Sequence, residues 1–221
     1  MGRTDKSNSN YVKSPVKTYV SFNGSKGHWE WYDKESETTK TLDKLSFVVL
    51  DTRSSVTGWH KKKKKNMFSN FVKNTKTSML VRCGKEPDDK VAEGPYADIK
   101  DKVNVAGGKF TTNVFALADL GEGYVPVNIQ LTTSALSEWM NFVKETYMNK
   151  VYASLIISSK SEMKTMGEVD YYNPIFVASQ LDPALAKQAD DFQEESLKPY
   201  LAQGEHHEAA MKQKKLKSSN D

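Results

Sequence analysis

A single cysteine, Cys83, excludes an internal disulfide framework and a cysteine-rich zinc site. It is in phase with Met79 and Val81 on a predicted strand and reads as a buried structural thiol, not a nucleophile. No apolar run approaches the roughly 18 residues that a membrane helix requires, and residues 1–24 lack the apolar core of a signal peptide. A soluble, cytoplasmic protein with no membrane partner is expected. Histidine is scarce too: His28, His60, His206 and His207 are the only imidazoles, and no Ser/His/Asp grouping accompanies them. His206 and His207 are adjacent and would point different ways on a helix, which argues against a metal role. Asp88 and Asp89 have no third ligand at motif spacing and read as a solvated turn. Gly121–Gly123 is too short, and lacks the lysine, for a phosphate-cradling loop. The chain therefore implies no metal and no cofactor, and it does not read as an enzyme.

The most informative scarcity is one of acid. Between Asp51 and Glu86 there is no acidic residue, while ten basic ones occur: Arg53, Lys61, Lys62, Lys63, Lys64, Lys65, Lys73, Lys76, Arg82 and Lys85. Ten positive charges against a formal net charge of +4 leave the rest of the chain at −6, so the positive charge is concentrated. Five adjacent lysines repel one another and cannot be buried. They require either water or a polyanion.

Around that stretch the pattern is mainly strand. Ser46–Trp59 and Ser78–Cys83 carry β-branched and apolar residues in strand-length runs, joined by a long loop that holds the lysines, Phe68 and Phe71. Phe47, Val49 and Asp51 are expected on one face of the first strand, and Gly58 is placed to permit a bulge. Residues 27–34 alternate Trp29 and Trp31 against His28, Glu30 and Tyr32. Both tryptophans are expected to pack one face of a sheet, with base stacking as the alternative. Residues 84–94 read as a loop. Pro95–Ala106 reads as a helix with Tyr96, Ile99 and Val103 on one face, ended by Gly107 and Gly108. Strands at 109–117 and 124–132 follow, then an amphipathic helix at 134–147 and a hairpin of 151–158 with 169–180. A helix at 183–201, ended near Pro199, comes last.

The expected fold class is α+β, mainly β with helices. Five strands with one helix between the third and fourth is the order of an OB-fold barrel, here with a C-terminal hairpin and helix added. Residues 1–26 are expected to be a flexible arm with one short strand at Thr18–Phe22. Residues 27–202 form the domain, with an extension from about 134, and 203–221 a flexible basic tail.

Phe47–Gly58 (FVVLDTRSSVTG), Phe68–Asn74 (FSNFVKN), Tyr96–Lys100 (YADIK), Gly107–Phe110 (GGKF) and Ser134–Val143 (SALSEWMNFV) give the chain a further character. On these segments it resembles tailed-bacteriophage single-stranded-DNA-binding proteins of OB-fold type, over about half of the chain from Gly27 to Val143 and more faintly at Tyr171–Phe176. The resemblance implies non-catalytic binding and protection of single-stranded DNA in phage replication or recombination, alongside the proteins of that process. One departure is the C-terminus. Lys212, Lys214, Lys215 and Lys217 stand where such proteins often carry an acidic recruiting tail.

Together with the charge pattern, this assigns phosphate contacts to Arg53, Lys61–Lys65, Lys73 and Lys76, with Lys100 and Lys109 extending the track. Trp59, Phe68 and Phe71 are assigned to base stacking, which discriminates little among bases. For Phe68 and Phe71, packing that anchors the loop is the equal alternative. RNA is the competing ligand, and self-association is left open. The rival function is a virion structural or cargo protein whose basic loop meets packaged DNA. High copy number in purified particles would distinguish it.

Overall fold

The computed structural model of the 221-residue chain describes residues 13–84, 86–147 and 155–203. The arm's first twelve residues, Lys85, residues 151–154 of the predicted hairpin, and the tail with His206 and His207 lie outside them. The chain divides into two compact units. Among the described residues one comprises Val16–Ala189, and the other comprises 13–15 with 190–203.

The larger unit is built on one sheet of eleven strands. They are β1 (Thr18–Asn23), β2 (His28–Asp33), β3 (Thr38–Leu42), β4 (Lys44–His60), β5 (Lys65–Phe68), β6 (Met79–Arg82), β7 (Lys90–Gly94), β8 (Gly108–Asp119), β9 (Tyr124–Leu131), β10 (Leu155–Met166) and β11 (Val169–Gln180). Helix α1 (Tyr96–Ala106) precedes β8, α2 (Thr133–Tyr147) follows β9, and α3 (Pro183–Phe192) follows β11. The spatial order is β3-β2-β1-β9-β8-β4-β5-β6-β7, with the β10–β11 hairpin attached to β4. Among the described strands only β1 and β9 pair in parallel.

The α+β class is therefore as expected, but the five-stranded closed barrel is not what forms. The sheet is open, with β3 and β7 as its end strands. Three strands, TTKTL, KNMF and KVAEG, are too short and polar to show a period of two in the sequence, yet they pair and extend the sheet. On its other flank β10 takes the edge of β4 through Ile157↔Phe47 to Lys160↔Lys44, so that edge is not free to close a barrel. The short strand foreseen in the arm is β1. It lies inside the sheet with Val20 fully buried.

Two apolar clusters hold the unit together. Trp29, Trp31, Leu45, Phe47, Val114, Ile129, Trp139, Ile157 and Phe176 form the larger, covered by α2 through Ala135 and Trp139. Both tryptophans of β2 are thus core residues, and the Trp29 indole N–H donates to Ser159 Oγ at 2.7 Å. Val56, Met67, Val72, Met79, Val81, Cys83, Ile99 and Val103 form the second, covered by α1.

The long strand β4 crosses both clusters, and a register irregularity decides its faces. Val49 pairs with Ala116 and Asp51 with Phe115, so Leu50 is an extra residue and the alternation changes phase there. Before it, Leu45, Phe47 and Val49 point to the α2 core. After it, Val56 faces the α1 core, and Asp51, Arg53, Ser55, Thr57 and Trp59 point to the opposite face. The expectation that Asp51 shares a face with Phe47 is corrected by this one inserted residue, and so is the placing of the bulge at Gly58. Gly58 pairs in register with Gly108 and Met67. It is needed because its φ is +152° and a Cβ there would lie 2.5 Å from the Gly107 carbonyl oxygen. Gly58→Ala is expected to destabilise the protein by more than about 1 kcal/mol, read as a lower urea midpoint.

Helix α1 ends as foreseen, with Gly107 in the left-handed conformation (φ +102°) donating its N–H to the Val103 and Asn104 carbonyls. The predicted final helix runs past Pro199. Helical chain continues to Gln203, with a π-type turn at Gln193–Leu197. Pro199 has no N–H for the preceding turn, and a widened turn accommodates that loss without ending the helix.

Candidate nucleic-acid interface

Strand pairing places Lys109 (β8), Thr57 (β4), Phe68 (β5) and Arg82 (β6) side by side in one row on the face away from α1. Neighbouring strands lie about 4.8 Å apart, so the row spans about 14 Å. Trp59 lies on the same face one step further along β4, opposite Asn66 and diagonal to Phe68. Trp59 is 50% exposed and Phe68 46%, high values for large apolar rings on a sheet. Thr57 and Thr111 link their hydroxyls at 2.6 Å beneath them.

The lysine run is a tight turn at the end of the same hairpin, not part of a long loop. Lys61–Lys64 connect β4 to β5, which begins at Lys65. The Lys64 N–H donates to the His60 carbonyl at 2.9 Å, and the Lys61 N–H to the Ala106 carbonyl at 2.9 Å. His60 acts in this turn as an acceptor, its Nδ1 receiving the Lys63 N–H at 3.3 Å. Among the described residues Lys61, Lys62 and Lys64 have no carboxylate within ion-pair distance, whereas Lys63 and Lys65 lie 3.5 and 3.4 Å from Asp89. Asp89 is 5% exposed, so the solvated turn expected there holds for Asp88 and not for Asp89. Burial acts to raise the Asp89 carboxyl, but the Glu86 N–H, Lys65 and Lys63 outweigh it and hold the group below its ordinary value.

The other predicted contacts separate in the fold. Arg53 is buried, and its guanidinium bonds the Asp51 carboxylate of the same strand at 2.9 and 3.3 Å, so its charge is matched within β4 and not presented to a ligand. Phe71 is half-buried with its ring edge-on to Phe115, centroids 5.5 Å apart, and anchors the loop between β5 and β6. That loop is pinned further by the paired Ser54 and Val72 backbones. Lys73 and Lys76 are exposed on it. Lys100 is exposed on α1, whose Ile99 and Val103 pack on the opposite face of the sheet, so it lies apart from Trp59 and Phe68.

Arg82 belongs to the basic stretch of the sequence and joins this row although it is not among the contacts the sequence predicts. Its signal was its phase: Met79 and Val81 point inward, so Arg82 points out. Its guanidinium reaches the Glu86 carbonyl at 3.3 Å. Tyr19 and Tyr32 are also exposed, at the opposite end of the sheet. There Lys40 is held by Asp33 at 2.8 Å, a hydrogen bond that lowers the Asp33 carboxyl to about 2. Among the described residues no three His, Cys, Asp or Glu side chains form a metal-binding group, and no helix is long and apolar enough to cross a membrane.

Comparison with protein-family models, with curated proteins and with solved structures gave no match to this chain.

Proposed function

We propose that this protein binds single-stranded DNA without catalysis, through the exposed Trp59 and Phe68 with Lys61, Lys62, Lys64, Lys109 and Arg82 around them. The observation that carries the reading is two half-exposed aromatic rings on one sheet face, at the foot of a turn of lysines. Exposed rings supply stacking surface for unpaired bases, which a duplex does not offer. The cations supply sequence-independent attraction to phosphates. Sequence preference is weak because every base has a face to stack.

The choice of DNA over RNA, and of phage replication or recombination as the process, comes from the resemblance to tailed-phage single-stranded-DNA-binding proteins. The geometry of the reading rests on the open sheet and not on an OB barrel. With about five cations engaged, log affinity falls with log salt at a slope of roughly −3.5. Fluorescence anisotropy with single-stranded DNA, duplex DNA and RNA oligonucleotides over a salt series tests this. Single-stranded DNA is expected to bind most tightly. Equal binding of duplex, or no salt dependence, would refute the reading.

A further inference from the structure

Asp89 is the carboxylate set among the lysines of the turn. Its place is built rather than casual. Oδ2 accepts the Glu86 N–H at 3.2 Å, and the Asp89 carbonyl accepts the Cys83 N–H at 2.9 Å. A Cβ on Gly84 would come within 1.9 Å of Oδ2, so the carboxylate fills the space that a side chain at position 84 would need. Oδ1 faces the hairpin and meets the ammonium groups of both Lys63 and Lys65, and Lys63 also donates to the Asp88 carbonyl. One ionised oxygen with two ammonium groups around it is the arrangement a backbone phosphate would offer those same side chains.

We propose that Asp89 is an internal substitute for a phosphate, which takes Lys63 and Lys65 out of the nucleic-acid track and leaves Lys61, Lys62 and Lys64 to carry the turn's share of binding. The inference rests on the nucleic-acid reading above and adds which cations count. A lysine held on a fixed carboxylate instead of a phosphate releases no counterion from the nucleic acid, so it adds nothing to the salt slope. Its tie to Asp89 instead pins the turn against residues 86–89 and holds the three remaining ammonium groups outward. Asp89 is a positioning residue in this account.

The test is the salt dependence of binding to a fluorescein-labelled oligothymidylate, measured on the full chain, with circular dichroism confirming the fold of each variant. The Lys63→Gln/Lys65→Gln variant is expected to keep the wild-type slope. The Lys61→Gln/Lys62→Gln/Lys64→Gln variant should flatten it by about 2, and Asp89→Asn, which frees two cations, should steepen it by about 1.4. A flattening of about 1.4 in the Lys63/Lys65 variant overturns the proposal while leaving the nucleic-acid reading in place. A wild-type protein that does not bind the oligonucleotide overturns both. Should Asp89→Asn fail to fold, the comparison of the two lysine variants decides the matter alone.

Discussion

Replacing Trp59 and Phe68 together by alanine is expected to cost most of the affinity for single-stranded DNA. Each stacked base contributes about 1–3 kcal/mol, and each 1.4 kcal/mol is tenfold in affinity. The rings are diagonal neighbours on β4 and β5, so the double variant need not equal the sum of the two singles. Because about half of each ring already faces water, the urea midpoint should move little. Phe71→Ala should behave in the reverse way. It loses the edge-on contact with Phe115 and lowers stability, with a smaller effect on binding. Anisotropy titration beside urea unfolding reads both quantities on the same samples. Unchanged affinity in the Trp59/Phe68 variant would remove these rings from the interface.

Trp29→Ala is expected to give the largest loss of stability, about 3–5 kcal/mol. The side chain is fully buried, lies edge-on to Phe22 with centroids 5.2 Å apart and donates to Ser159. Such a loss is a large share of the roughly 5–15 kcal/mol that holds a typical domain folded. Trp29→Phe keeps most of the ring packing but leaves the buried Ser159 hydroxyl without its donor, and should cost about 1–3 kcal/mol. Urea unfolding followed by circular dichroism measures both. A loss below about 1 kcal/mol for Trp29→Ala would mean that the β1–β2 end contributes little to the cooperative core.

The contrast between Trp29 and Trp59 shows where sequence reasoning reaches. Trp29 and Trp31 alternate with polar residues over a whole strand, so their common inward face was legible from period two. Trp59 lies near the end of a strand whose phase is shifted by Leu50, and nothing local marks that residue as extra. Counting by twos from Phe47 would have put Trp59 in the core. The paired strand β8 decides otherwise. Arg53 illustrates the same limit for charge. In the sequence it stands with the basic run, but in the fold it is spent on Asp51 two residues away. Asp89 lies beyond the acid-free stretch, where the sequence predicts a solvated turn, yet the turn at Pro87–Asp89 brings it to the lysines.

By itself the sequence determined that the chain is α+β, where its longer strands and helices lie, that Gly107 ends α1, and that positive charge gathers between residues 53 and 82. Those features follow from periodicity, backbone freedom and composition, which are local. Tertiary structure alone decided that the sheet stays open, which aromatic rings are left at the surface, and which lysines already have a carboxylate. These depend on strand register and on partners distant in the chain. A shift of one residue exchanges the two faces of a strand without changing its composition.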